Sequence, residues 1–169
     1  LCDRAGVAFV QAEIIGVDSQ RQHLLLHERP SLRFGVLSLD VGAVTRNADN
    51  LTGVPIKPLE EALQFLSLQD PEDPEPFRIV GAGPAGLEVS LALRRRWPNR
   101  ALEVQARPDQ LDAGTKSILG RAHIHCVTNA SDHATLLCTG SRAPSWLAES
   151  GFAVDHDGRV LTNPFLQLE

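Results

Sequence analysis

Residues 77–88 read Phe-Arg-Ile-Val-Gly-Ala-Gly-Pro-Ala-Gly-Leu-Glu. The first four form a short apolar run suited to a strand, and Gly81-x-Gly83-x-x-Gly86 follows at once. Residues 87–97 then place Leu87, Leu91 and the pair Ala92/Leu93 at helical spacing, with Arg94, Arg95 and Arg96 near the C-terminal end, where cations are favoured. Pro98 and Asn99 stop that helix, and residues 102–106 read as a second strand. Strand, glycine turn and helix in this order match a dinucleotide-binding fingerprint. In such a turn Gly81 makes the bend, Gly83 lets the backbone approach a pyrophosphate, and Gly86 lets helix and strand pack closely. The same glycines also fit a purely structural turn, and the three arginines a solvated helix end.

Working outward, the upstream segments 7–10, 13–17 and 24–27 are short and apolar, with turn residues at 18–21, and their alternation predicts small antiparallel strands. Residues 32–41, with Val36, Leu37, Leu39 and Val41, predict a buried strand ending at Gly42. Residues 47–58 are turn-rich, and Pro58 opens a helix over 59–68 with Leu59, Leu63 and Leu66 on one face. Residues 70–76, Asp-Pro-Glu-Asp-Pro-Glu-Pro, predict an exposed loop, and a domain boundary is expected within 50–76.

Downstream, residues 109–120 predict a turn and short helix, 123–128 a third strand, and 134–139 a fourth that ends at Gly140. The link between those two strands is short for a nucleotide domain, which suggests that residues are missing around 129–134. A short helix is expected over 146–150. A hairpin over 154–160 turns at Asp155, Asp157 and Gly158, and Asn163-Pro164 breaks the chain before 166–169. The expected fold class is α/β: a Rossmann-like domain, a parallel sheet with flanking helices, plus part of a second domain.

Composition narrows the function classes. With 169 residues and 43% hydrophobic content the chain can bury a core, and its formal charge of −5 argues against nucleic acid as a partner. No apolar run approaches a membrane span, and the N-terminus does not read as a signal peptide. Cys2, Cys126 and Cys138 form no CxxC pair and no metal-ligand pattern, which fits unpaired thiols in a reduced cytosolic setting. His123, His125 and His133 lack an acid or cysteine at ligand spacing and read as ordinary strand and loop histidines; no metal is expected. The chain has no methionine and begins on Leu-Cys-Asp, so it reads as a piece of a longer protein, starting in mid-helix.

Several motifs now stand in one order: Leu39-Asp40-Val41-Gly42, a proline-containing linker, Gly81-x-Gly83-x-x-Gly86-x-Glu88, Cys138-Thr139-Gly140, and Gly158-x-Val160. This order resembles the FAD-dependent pyridine nucleotide–disulfide oxidoreductase superfamily, and within it the type II NADH dehydrogenase branch. The run from Leu137 to Leu147, followed by Glu149-Ser150-Gly151, is similar to the flavoprotein module that some bacteria fuse to selenide, water dikinase. The resemblance implies a partial FAD-binding domain over 1–50, a linker with a helix over 51–75, an NAD(P)-binding domain over 76–145, and a return to the FAD-type domain over 146–169. The family's first glycine fingerprint, its Gly-Asp flavin motif and its interface domain have no counterpart in these residues.

The implied activity is hydride transfer from NAD(P)H to FAD in the complete protein, the piece itself being inactive. The implied acceptor is a quinone or a selenium compound, in the cytosol or peripheral to a membrane. Cofactor contacts are expected from Gly81, Gly83, Pro84, Ala85, Gly86, Glu88 and Arg107, with Thr139 and Gly140 on the nicotinamide side; no catalytic side chain is assigned. Glu88 in the first helical turn also simply suits the helix dipole. The ribose-binding acid expected at the end of the second strand is replaced by Gln105-Ala106-Arg107, which tilts the reading toward NADPH or a degenerate site, while Arg107 also fits a solvated surface residue. A non-catalytic module that keeps the nucleotide turn is the alternative.

Overall fold

The computed structural model describes residues 2–46, 51–128 and 133–168. In chain order its elements are α1 (Cys2–Ala5), β1 (Ile14–Asp18), β2 (His23–Leu26), β3 (Arg29–Arg33), β4 (Val44–Thr45), β5 (Val54–Pro55), α2 (Leu59–Ser67), β6 (Phe77–Val80) and α3 (Pro84–Arg96). There follow β7 (Leu102–Gln105), a 3₁₀ turn (Pro108–Gln110), α4 (Ala113–Arg121), β8 (His125–Val127), β9 (Thr135–Leu137), β10 (Ser141–Arg142) and α5 (Trp146–Glu149). Tertiary contacts divide the chain into two units, residues 43–142 and residues 1–42 with 143–169.

The first unit is built on a five-stranded sheet in the order β5-β9-β6-β7-β8, with every neighbouring pair parallel. Parallel strands are covered on both faces and therefore read as continuous apolar runs, which is why Phe77–Val80 was legible as a strand. Phe77, Ile79, Leu102, Val104 and Leu136 are buried, and they share one core with Ala62 and Leu66 of α2, Leu93 of α3 and Leu119 of α4. Each of these side chains larger than alanine contributes about 1.5–3 kcal/mol by leaving water. Trp97 meets the Phe77 ring edge-on at 5.1 Å, and the Phe65 ring lies 5.9 Å from Phe77, tilted by 38°.

Local chemistry starts the helices. Pro58 precedes α2 in an extended conformation, and Glu60 and Glu61 lie in its first turn, where the dipole favours them. Asp112 caps α4 by accepting the Thr115 amide at 2.6 Å, and that bond holds its carboxyl below the usual range. The buried helix faces keep Leu66, Leu87 and Leu93 of the expected ones and otherwise differ. Leu59, Leu63 and Leu91 are exposed, and α2 buries Ala62 and Leu66 while α3 buries Gly86, Ser90 and Leu93. Within residues 51–75, expected as a linker with a helix, that helix packs on the sheet core and Val54–Pro55 add an edge strand.

Arginines close the lower part of this unit, where the sequence suggested a solvated helix end. Arg94 donates to the carbonyls of Trp97 (3.1 Å), Pro98 (2.9 Å), Arg100 (2.9 Å), Ala122 (3.0 Å) and His123 (2.9 Å). Arg100 is buried over the rings of Phe77 and Trp97, and donates to the Asp70 carbonyl at 2.8 Å and the Asp73 carboxylate at 3.0 Å. The acidic proline loop is thus exposed but tied down. Arg78 on β6 is buried and pairs with Glu103, its register partner on β7, through Nε at 3.2 Å.

The second unit centres on the antiparallel sheet β1-β2-β3. Ser150, just after α5, accepts the Val17 amide at 2.9 Å and fastens that helix to β1. The expected turn at 155–158 is present: Val154 pairs with Val160, and the Asp155 carboxylate accepts the amides of Asp157 and Arg159. Two expectations fail here. Residues 7–10 form no strand. Residues 32–41 are not one buried strand: β3 stops at Arg33, and Val36 is 94% exposed. Apolar alternation without a partner strand has nothing to bury against. The shortness of the link between the third and fourth strands falls largely on residues 129–132, outside the described residues, as do Asn47 and Asn50 of the turn-rich stretch.

Candidate dinucleotide site

The chain passes from β6 to β7 and β8 on one side of the sheet order, whereas β9 and β5 lie on the other. The order therefore reverses between β6 and β9, and ligands of open α/β sheets bind beyond the carboxyl ends of the strands at such a point. A cleft of about 670 Å³ lies there. Its walls are the residues that follow each strand: Gly81–Gly83 after β6, Ala106–Pro108 after β7, Thr128 after β8 and Cys138–Gly140 after β9, together with Arg46 and Leu51.

Each glycine of the fingerprint has its own reason. Gly81 has φ +110°, and a Cβ there would run into the Cys138 carbonyl. A Cβ on Gly86 would strike the Gly81 carbonyl, so this residue sets the close packing of α3 against the end of β6. Gly83 is different: a Cβ there meets nothing within 4 Å, and the space above it is open. Gly83 is also the N-cap of α3, with Pro84 at the first helical position and no side chain capping the helix. First-turn amides without a side-chain cap suit an anion, because they lack intrahelical partners and stand at the positive end of the helix dipole. Ser90 stiffens this turn from within by donating to the Gly86 carbonyl at 2.6 Å.

Of the residues expected to touch a cofactor, Gly81, Gly83, Arg107, Thr139 and Gly140 line the cleft. Gly86 lies buried beneath it, and Pro84, Ala85 and Glu88 are exposed outside the lining. The Thr139 hydroxyl donates to the Arg46 carbonyl, and the Arg46 amide donates to the Gly140 carbonyl at 3.0 Å, so the loop after β9 is fastened to the one after β4. Arg107 is largely exposed, with its Nε 3.5 Å from an Asp109 carboxylate oxygen. Cys138, read in the sequence as an unpaired thiol and not as a cofactor contact, also lines the cleft; burial pushes its thiol up to about 11, so it is protonated and unreactive near neutrality. Arg46, Leu51, Gln105 and Thr128 were also missed. The signal that finds them is positional: each of the last two ends or directly follows a parallel strand on the carboxyl side.

His133 lies 3.2 Å from a Glu75 carboxylate oxygen, and among the described residues no group of three or more His, Cys, Asp or Glu is arranged to hold a metal. Among the same residues no helix is long and apolar enough to cross a membrane.

No protein-family model matches the sequence. No curated protein matches it either. Solved structures do. A ferredoxin reductase from Rhodopseudomonas palustris aligns with a TM-score of 0.69 at 16% identity over 91% of this chain and 46% of its own. The flavoprotein disulfide reductase RclA from Escherichia coli, induced by HOCl, gives 0.65 at 17% over 96% and 43%. A pyridine nucleotide-disulfide family oxidoreductase from Enterococcus faecalis gives 0.58 at 10% over 93% and 44%. The chain spans less than half the length of each of these proteins. Identities this low speak for fold, and on that ground this chain has the α/β fold of pyridine nucleotide–disulfide oxidoreductases and ferredoxin reductases.

Proposed function

We propose that this chain supplies the pyridine-nucleotide half of a FAD-dependent NAD(P)H oxidoreductase of the NADH dehydrogenase-like kind. The observation that carries the reading is the open space above Gly83, at the switch point of a parallel sheet and at the uncapped start of a 13-residue helix. The fold relatives, one a flavoprotein and one a pyridine nucleotide-disulfide oxidoreductase by name, support the same class.

A dinucleotide fits the residues present. The Ala85 and Gly86 amides at the start of α3 would hold the pyrophosphate, and Gly81 and Gly83 would let it come close. Thr139 and Gly140 would border the nicotinamide, and Glu88 would sit one helical turn away. The reduced nicotinamide, when bound, supplies the hydride that passes to flavin. The protein's part is to orient the ring and keep water away from it. The flavin and the electron acceptor, a quinone or a selenium compound, belong to the longer protein, which we place in the cytosol or at a membrane surface.

Titration of the chain with NADH or NADPH, followed by nicotinamide fluorescence, tests the site. Binding that is lost in Gly83→Val, with the fold kept by circular dichroism, supports the reading. Absence of binding, or equal binding by the variant, overturns it. In the full-length protein, bleaching of a flavin band by reduced nicotinamide under nitrogen identifies the enzyme, whereas binding without bleaching identifies a nucleotide-binding module that does not turn over.

A further inference from the structure

Resting on that dinucleotide reading, we infer that Thr139 selects for a donor on the bound ring: its hydroxyl, held as an obligate acceptor by the Arg46 carbonyl, takes a hydrogen bond from the carboxamide NH₂ group of nicotinamide. With a pyrophosphate at the turn between β6 and α3, the adenosine extends toward β7 and the nicotinamide toward the opposite side of the switch point, where β9 ends. The residues that follow β9, Cys138, Thr139 and Gly140, line the cleft at that end.

The polarity of the Thr139 hydroxyl is set by the chain itself. A hydroxyl has one proton to give and two lone pairs with which to receive. Thr139 gives its proton to the Arg46 carbonyl, so toward a ligand it can only accept. That carbonyl is held in place from both sides. The Arg46 amide donates to the Gly140 carbonyl at 3.0 Å, so one residue grips the loop at two successive positions. Thr45, directly before it, accepts the Lys57 amide at 3.0 Å, donates to the Lys57 carbonyl at 3.3 Å, and pairs with Ser141 in the β4–β10 ladder.

The rest of the loop complements that acceptor. Among the described residues the amides of Thr139 and Gly140 donate to no group, so N–H donors stand beside the hydroxyl. A carboxamide carries one acceptor and one donor group and can answer both. Nothing lies within 4 Å of the place a Cβ on Gly140 would take, which leaves room for a flat ring. Among the described residues that line the cleft there is no aspartate or glutamate, so no carboxylate competes for the NH₂ group. A carboxylate in place of the carboxamide would set lone pairs against the Thr139 oxygen, and a methyl ketone would leave that oxygen unpaired.

Calorimetric titration of the chain with NAD⁺ or NADP⁺, whichever binds more tightly, and with the acetylpyridine and nicotinic acid analogues of that dinucleotide tests the inference. ADP-ribose, with or without the 2′-phosphate to match, lacks the ring and gives the baseline. Wild type should bind the acetylpyridine analogue roughly threefold to tenfold more weakly than the parent, and the nicotinic acid analogue at least about tenfold more weakly. Thr139→Val should bring the parent down to the affinity of its acetylpyridine analogue, while ADP-ribose changes by less than about twofold. Thr139→Ser, which keeps the hydroxyl, should retain the discrimination. If Thr139 merely held the loop in place, Thr139→Val would weaken parent and analogues alike; that outcome overturns the inference, as does equal binding of parent and acetylpyridine analogue by wild type. If the dinucleotides bind no more tightly than ADP-ribose, the ring does not reach this loop, and only this inference falls. If no ligand binds, the dinucleotide reading falls with it.

Discussion

The two units of the chain differ in what becomes of their apolar side chains. In residues 43–142, Phe77, Ile79, Leu102 and Leu136 are wholly buried, in a core fed by helices on the same stretch of chain. In residues 1–42 with 143–169, buried apolar residues are few, among them Val17, Leu26 and Leu147, while Phe9, Val36, Phe165 and Leu166 stand mostly in water. The contrast follows from architecture. The connections through α2, α3 and α4 each bring a helix onto the parallel sheet, whereas a three-stranded antiparallel sheet brings no cover of its own and is marginal by itself. Stability in the first unit therefore resides in its own core, and single apolar residues of the second contribute little.

The largest effect to expect is a matched pair of truncations. Phe77→Ala should cost about 3–5 kcal/mol in urea unfolding, because a ring flanked by Phe65 and Trp97 leaves a cavity. Phe165→Ala, at a side chain 82% exposed, should change stability by less than about 0.5 kcal/mol. Similar losses from the two would break the contrast.

A smaller effect separates two glycines of one motif. Gly86→Ala should cost about 1–3 kcal/mol, since the methyl group meets the Gly81 carbonyl and α3 must shift. Gly83→Ala, with open space and an ordinary extended backbone, should cost under about 1 kcal/mol and show itself in dinucleotide affinity instead. Thermal melts of both variants decide this; a Gly83→Ala variant as unstable as Gly86→Ala would make the open space structural after all.

The smallest effect is a pH dependence confined to the sheet unit. In the folded chain the Cys138 thiol keeps its proton up to about 11, whereas in the unfolded chain it releases it near 9.0. Between those values the unfolded state binds fewer protons, so stability falls as pH rises from 9.0 toward 11. Cys138→Val should flatten that decline. At pH 8 a thiol reagent should label the exposed Cys126 quickly and leave Cys138 unmodified; rapid labelling of Cys138 would contradict its burial.

What the sequence disclosed follows the same division. Residues 77–106 were legible because a strand buried on two faces, a glycine turn and a helix each leave a local signature. Residues 32–41 misled because alternation reports only that a strand would have an apolar side, and Val36 has no neighbour to pack on. Arg94 was misjudged, and Arg100 passed over, for a related reason: a charged residue is normally solvated, and the carbonyls that hold these two come from loops up to about 30 positions away. At the site, the turn and its three glycines were readable, but the lining drawn from Arg46, Thr128 and Cys138 depends on which strands become neighbours, and spacing along the chain does not encode that.

Arg94 has a consequence for substitution. One guanidinium accepts no hydrogen bonds and donates to carbonyls left over at the ends of both α3 and α4, so it acts as a shared C-terminal stopper for two helices. A lysine at this position keeps the charge yet, with three donors on a single nitrogen, cannot reach both helix ends together. The two helices are in this sense one mechanical part, and trading arginine for lysine would uncouple them without altering the protein's charge.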